Sequence, residues 1–195
     1  MLSMIVLAAG KSSRMRGKNK LLADIKGESM IRRVVQAAIQ SKVDDVIVVL
    51  GWEADRIRQE LSDFPCNFVT NQEFESGQSS SVRAGLRAVS NSTRAILVLP
   101  GDVASIDPRS INMVIDDYNN KEKPIIVAAH NGEAGHPILF DRSLFSEIEN
   151  INEQTYGLKF VVRNHESEVN FVEVGTIGVL RDIDTPEDLK ELRES

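Results

Sequence analysis

The strongest constraint on this chain is a rhythm in which short, mostly apolar runs alternate with segments whose apolar residues recur at helical spacing. Met4 to Ala9, Val46 to Leu50, Asn67 to Asn71, Ala95 to Pro100 and Pro124 to Ala129 read as strands bounded by turn residues. The unbroken apolar runs among them call for burial on both faces. Between them, Ile31, Val34, Val35, Ala38 and Ile39 repeat at helical spacing with Ser29 as the expected cap. Val82, Leu86 and Val89 do the same after Ser79-Ser80-Ser81, and Ile111, Val114, Ile115 and Tyr118 follow the cap and first-turn proline of Asp107-Pro108. Strand followed by helix, repeated, specifies a mostly parallel sheet covered by helices, with right-handed crossovers. Ligands then bind at the carboxyl ends of the strands. The rhythm breaks at Asn131-Gly132, a hairpin signal, and at Gly135-His136-Pro137, a turn expected before the strand-like Ile138-Leu139-Phe140; some antiparallel pairing is expected there. Val169 to Val174 reads as a last strand, and Thr185-Pro186-Glu187-Asp188 as a capping box opening a terminal helix. The expected fold class is therefore α/β: one three-layer α/β/α domain over residues 1–195, with a Rossmann-like, mostly parallel sheet and a small antiparallel portion.

Charge narrows the partners. With 23 Lys+Arg against 29 Asp+Glu, the net charge of −6 opposes nucleic acid and anionic lipid, which need basic patches. The lone Cys66 has no partner for an internal disulfide and no ligand series around it, which fits a reducing cytosol. No run approaches the roughly 20 apolar residues that span a bilayer, so a cytoplasmic protein is expected.

Against this acidic background, Leu7-Ala8-Ala9-Gly10-Lys11-Ser12-Ser13-Arg14-Met15-Arg16-Gly17-Lys18-Asn19-Lys20 leaves the first strand with small residues, hydroxyls and cations but no acid. Small residues let backbone N–H groups approach phosphate oxygens, and Lys and Arg supply charge. Gly10-Lys11-Ser12 is not a Walker A loop, because the earlier glycine would fall at Ile5, and Ala8-Ala9-Gly10 lacks the spacing of a dinucleotide fingerprint. Lys20 closes the loop directly before Leu21-Leu22, whose packing would hold its base while the ammonium reaches inward.

Asp102 should emerge at the carboxyl end of the strand Ala95 to Pro100, near this loop. A carboxylate there suits Mg²⁺, which is often held by one or two carboxylates together with phosphates and water, although a turn aspartate after glycine is the plain alternative. Asp182 and Asp184 precede the terminal helix, where its dipole favours carboxylates with or without a metal. Asn71, Gly77 and Ser81 offer an amide, a close approach and a hydroxyl suited to a neutral base edge, and are equally ordinary turn residues.

The ordered set LAAGxSxRM…K, Asn71…Gly77…Ser81, Leu99…Asp102, Gly135-His136-Pro137 and Asp182-Ile183-Asp184-Thr185-Pro186-Glu187-Asp188-Leu189 resembles the MobA-like nucleotidyltransferases. Within them it is most similar to the MocA-like branch, the molybdenum cofactor cytidylyltransferases. The resemblance implies a nucleotide-diphospho-sugar transferase type of fold. It also implies transfer of CMP from CTP to molybdopterin or its molybdenum-bearing form, with Mg²⁺ as cofactor and a molybdoenzyme or chaperone as a further contact. By the same resemblance Asp184 joins Asp102 at the metal, with Asp182 the weaker candidate. Arg14, Lys20 and Asp102 become catalytic. Leu7, Ala8, Ala9, Gly10, Lys11, Ser12, Ser13, Arg14, Lys20, Asn71, Gly77 and Ser81 hold the nucleotide, and His136 borders the acceptor. Guanylyl relatives commonly carry glycine at Ala9, whose extra methyl disfavours a purine. Phe74, Gln78 and Ala104 depart from the Trp, Met and Pro often found there, and the glycine-rich acidic segment is reduced to Gln154-Thr155-Tyr156-Gly157. These departures keep two other readings open: a GTP-using or sugar-phosphate nucleotidyltransferase, and a nucleotide-binding accessory module without turnover.

Overall fold

The computed structural model describes residues 1–15, 17–121 and 123–194; Arg16 of the basic loop lies outside the described residues. Seven strands form the main sheet: β1 (Leu2–Ala8), β4 (Asp45–Leu50), β5 (Asn67–Thr70), β6 (Ala95–Pro100), β7 (Ile125–His130), β8 (Glu133–Asp141) and β9 (Val169–Glu173). Their order is β5-β4-β1-β6-β8-β7-β9, and a separate hairpin pairs β2 (Asp24–Ile25) with β3 (Glu28–Ser29). Pairing is parallel throughout except at β8, which runs antiparallel to both its neighbours, β6 and β7. The small antiparallel portion thus sits where the hairpin signal fell. Asn131 and Gly132 take φ of 53° and 77° in the connecting turn, as a two-residue hairpin requires.

The helices are α1 (Met30–Ile39), α2 (Ala54–Glu60), α3 (Gln78–Ala88), α4 (Pro108–Lys121), α5 (Phe145–Ile148), α6 (Leu158–Asn164) and α7 (Pro186–Glu194). Side-chain alternation along β1 makes the three layers visible. Met4, Val6 and Ala8 join α1, α4 and α7 in one core, while Ile5 and Leu7 join α3, α5 and α6 in the other. Helix α3 lies close on the sheet because Gly85 has no side chain; a methyl there would stand 2.4 Å from Ile5 Cγ2. Among the described residues no helix is long and apolar enough to cross a membrane.

Several local expectations change. Ser29 holds the cap position of α1, but its buried hydroxyl makes no hydrogen bond; the first helical N–H, that of Met30, instead donates to the Ala23 carbonyl at 3.0 Å. Ser79-Ser80-Ser81 belong to the first turn of α3 instead of preceding it. Gly135-His136-Pro137 is not a turn but lies inside β8, at an irregularity: the pairing with β7 shifts register there, and the pairing with β6 begins only at Ile138. The expectations for Asp107 and Thr185 hold: Asp107 Oδ1 accepts from the N–H groups of Arg109 and Ser110 at 2.8 and 3.0 Å, and Thr185 and Asp188 cap α7 reciprocally.

The chain's final crossing positions the site. A short 3₁₀ turn, Ile177–Val179, is wedged between β8 and the loop after β6. From there the Ile183 N–H donates to the Asp102 carbonyl at 3.2 Å, fixing the Asp182–Asp184 segment against the end of β6. Gly178 permits the wedge, because a methyl on it would lie 2.2 Å from the Ser105 carbonyl oxygen. We predict that Gly178→Ala costs about 1–3 kcal/mol by overpacking against backbone. Thermal unfolding checks this, and an unchanged melting temperature would show that the wedge is not tight.

Candidate nucleotide site

At the carboxyl ends of β1 and β6 a cleft of about 310 Å³ is lined by Leu7, Ala9, Gly10, Ser12, Ser13, Arg14, Lys20, Gly77, Ser81, Asp102 and Asp184 among others. Segments far apart in sequence meet there because the parallel sheet delivers each strand end to the same edge. The basic loop turns back on itself at Ser12, whose φ of 51° is left-handed and whose Oγ accepts from the Lys20 N–H at 3.1 Å. Asn19 Oδ1 accepts from the Leu21 N–H at 3.1 Å, and Leu21 is buried. The base of Lys20 is therefore held from both sides, and its ammonium points into the cleft.

That ammonium donates to Asp102 Oδ2 at 2.6 Å and to Asp184 Oδ1 at 2.9 Å. The side chains of Lys20 and Asp102 are only 15% and 18% exposed, so their pair is shielded from the solvent screening that weakens surface pairs. Burial disfavours the lysine's charge, but attraction and hydrogen bonds to Asp102 and then Asp184 outweigh it and raise the lysine pKa. The hydrogen bond from Lys20 lowers the pKa of Asp184, against a smaller opposing effect of burial. Arg14 also bonds Asp184 from the more exposed side.

The donor set has room for a divalent cation. Asp102 Oδ1 is buried without a hydrogen-bond partner among the described residues, a cost a carboxylate oxygen bears only where something else satisfies it. No group of three or more His, Cys, Asp or Glu is placed to hold a metal by itself among the described residues. Asp102 and Asp184 therefore suit an ion that takes its remaining ligands from phosphate oxygens and water. Asp182 does not share the Lys20 contact. Crowding by surrounding protein, then repulsion from Asp102 and Asp184, pushes its pKa up to about 6.

Other expected residues sort by position. Ala8 is wholly buried in the core beneath the cleft. Lys11 turns aside to pair with Glu75 at 2.5 Å, over the Phe74 ring. Asn71 is buried, and its amide donates to Ser80 Oγ and Ser81 Oγ at 2.8 and 3.0 Å. It braces the start of α3 and leaves Ser81 on the cleft wall. Ala9 reaches the cleft and is wedged: a methyl on Gly51 would lie 2.7 Å from Ala9 Cβ and 2.8 Å from Phe74 Cβ. Gly77 takes φ of 110° and opens space for Glu153, whose carboxylate accepts from the Ser79 N–H at 2.6 Å.

His136 faces a second cavity, of about 600 Å³, which shares Leu7, Gln78, Pro100 and Asp102 with the first. Burial pushes its pKa down to about 4 despite attraction from Asp102, so its ring is neutral at pH 7. Glu153 and Lys159 beside this cavity carry no local signal in the sequence; only the fold brings them there.

A mostly parallel sheet with a basic strand-to-turn loop facing paired aspartates has the chemistry to receive a phosphate-bearing ligand and a divalent ion. The chain belongs to the MobA-like NTP transferase domain family, whose model matches residues 4–169. Its structure is similar to that of Rv0371c from Mycobacterium tuberculosis H37Rv, with a TM-score of 0.86, 27% identity, and coverage of 100% of this chain and 97% of that one. A complex of Rv0371c with manganese aligns with a TM-score of 0.82 and 25% identity over 100% of this chain and 98% of that one. In sequence it is 31% identical over 136 residues to the bifunctional protein GlmU of Pseudomonas syringae pv. syringae strain B728a. That match takes in 69% of this chain and 29% of GlmU, so the chain spans less than a third of that relative's length.

The cap of α7 reaches the site through Asp188, whose Oδ2 accepts from the Asp184 and Thr185 N–H groups at 3.0 and 2.7 Å. Asp188→Ala should cost about 0.5–2 kcal/mol, as loss of a cap does, and lower turnover by loosening Asp184. Urea unfolding together with pyrophosphate release checks it; lost stability with unaltered turnover would separate the cap from the site.

Proposed function

We propose that this protein transfers CMP from CTP to a phosphorylated acceptor of the molybdopterin type, releasing pyrophosphate, in a reaction that depends on Mg²⁺. The observation that carries this reading is the Lys20 ammonium held between Asp102 and Asp184 at the mouth of the basic loop. The manganese complex of Rv0371c supports a divalent ion in proteins of this shape.

In the proposed reaction an ionised phosphate oxygen of the acceptor attacks the α-phosphorus of CTP. A new P–O bond forms, the bond from the α-phosphorus to the bridging oxygen breaks, and pyrophosphate leaves with that electron pair. An ionised phosphate needs no general base, so catalysis rests on alignment and on neutralising charge. Asp102 and Asp184 would hold the Mg²⁺, which when bound supplies positive charge to the phosphate oxygens. Lys20 and Arg14 neutralise the leaving pyrophosphate, with backbone N–H groups of Gly10 to Ser13 around it. Ala9, Gly77 and Ser81 border the base and ribose, with Asn71 bracing Ser81. All of residues 1–195 act as one such unit.

Pairing each of the four ribonucleoside triphosphates with molybdopterin and Mg²⁺, and identifying the conjugate by mass spectrometry, tests the reading. Product from CTP is expected; product from GTP alone, or only with a sugar phosphate, would move the protein to the alternative substrates. Asp102→Ala should lower turnover by about 100-fold or more, the scale of losing one electrostatic element of such a site, with the circular dichroism spectrum unchanged. Pyrophosphate release at the original rate would remove Asp102 from the mechanism.

The wedge at Ala9 offers a selectivity test. Ala9→Gly removes the methyl packed beside Gly51 and should shift the CTP-to-GTP ratio of kcat/KM toward GTP by roughly 10- to 200-fold. An unmoved ratio would place base selection elsewhere.

A further inference from the structure

The second cavity differs from the nucleotide cleft in how its charges are used. In the cleft loop, Lys11, Arg14 and Lys20 each already pair with a carboxylate: Glu75, Asp184, and both Asp102 and Asp184. Lys159 and Arg163 line the second cavity one helical turn apart on α6. Among the described residues, neither side chain makes a hydrogen bond or an ion pair. Arg163 instead packs over the Tyr156 ring at 5.7 Å, which fixes the guanidinium at the rim and leaves its N–H donors unengaged.

The position of Lys159 is the telling one. Its side chain is exposed but lines the cavity together with His136 and Asp182, so its ammonium is open to a ligand that enters there. The start of α3, which also borders the cavity, is already taken by the Glu153 carboxylate on the Ser79 N–H at 2.6 Å. Beneath these groups lie two polar atoms without partners: Oγ of Ser79, a residue only 3% exposed, and Nδ1 of His136. Val82, Val98, Val127 and Ile138 supply apolar walls.

We infer that Lys159 is the residue that selects the acceptor, binding its phosphate from the side opposite the nucleotide, with Arg163 as a second cation at the rim. The substrate class is a phosphomonoester or diphosphate ester on a body with an apolar face and a few hydrogen-bonding atoms, which Ser79 and His136 contact. An alcohol without phosphate lacks the charge that Lys159 is left unpaired to meet. The shared wall at Leu7, Gln78, Pro100 and Asp102 puts such a phosphate next to the nucleotide cleft. This assignment rests on the transferase reading above and adds to it the residues that hold the acceptor's phosphate.

The test compares the full chain with Lys159→Ala and Lys159→Arg. Phenyl phosphate is the binding probe, followed by ligand-observed NMR in the presence of CTP and Mg²⁺, and phenol is its uncharged counterpart. Lys159→Ala should weaken phenyl phosphate binding roughly 10- to 100-fold, the scale of one charge-assisted hydrogen bond, while phenol binding and CTP affinity measured by calorimetry stay the same. Lys159→Arg should retain most of the affinity. Where an acceptor turns over, its KM should rise and the KM for CTP should not. Phenyl phosphate binding that ignores the substitution, or CTP affinity that falls with it, overturns the assignment. A wild-type protein that binds phenyl phosphate through Lys159 yet releases no pyrophosphate with any phosphorylated acceptor would instead overturn the transferase reading and leave the anion site standing.

Discussion

The contact on which the site depends is the ion cluster of Lys20 with Asp102 and Asp184, of which the Lys20–Asp102 pair is shielded from solvent. Removing such groups from water costs several kcal/mol per ion before their attraction offsets it, so the cluster is a poor device for stability alone. It forms because three segments have no freedom to avoid it. Ser12 and Asn19 clamp the backbone around Lys20, the sheet delivers Asp102, and the Ile183-to-Asp102 backbone bond with the α7 cap delivers Asp184. The lysine lies 82 residues from one partner and 164 from the other. A site assembled from such distant parts exists only in the folded chain, and its charges are aimed before substrate arrives.

Net charge says little about such a site. The chain carries −6 overall, yet the mouth of β1 is basic. Charges beyond about 8 Å are screened at physiological salt, so an anionic substrate responds to Lys20 and Arg14 more than to acids on the far faces. The acids that do sit close, Asp102 and Asp184, hold those cations in place.

The sheet was legible in the sequence because most of its strands are buried on both faces and write themselves as unbroken apolar runs. The caps at Asp107 and Thr185 were legible because each uses only neighbouring residues. What the sequence did not reveal is non-local or short. The β2–β3 hairpin has two residues per strand, α2, α5 and α6 are seven residues or fewer, and their periodicity is too brief to register. Ser29 misled because a cap residue type at the cap position does not by itself form the side-chain bond. His136 misled because glycine and proline signal a turn, whereas here they sit at an irregularity within one long strand, between residues that pair with β7 on either side of it. For the site, the basic loop and Asp102 were readable from composition and position. The bracing role of Asn71, the turning aside of Lys11, and the presence of Glu153 and Lys159 were not, since each is decided by a partner elsewhere in the chain.

The last crossing of the chain also explains how one short stretch can serve two cavities. Ile183 is buried at 3% exposure and is anchored by its N–H to the Asp102 carbonyl, and the aspartates on either side of it line different cavities. Asp184 goes to Lys20 and Arg14 in the nucleotide cleft, where hydrogen bonding from Lys20 keeps it ionised. Asp182 goes to the neighbouring cavity, where it lacks that lysine and its pKa climbs to about 6. Two aspartates with nearly identical local sequence thus acquire different chemistry from the cavity each one faces. Asp102, which lines both cavities, marks the boundary where a phosphate from one side would meet a phosphate from the other.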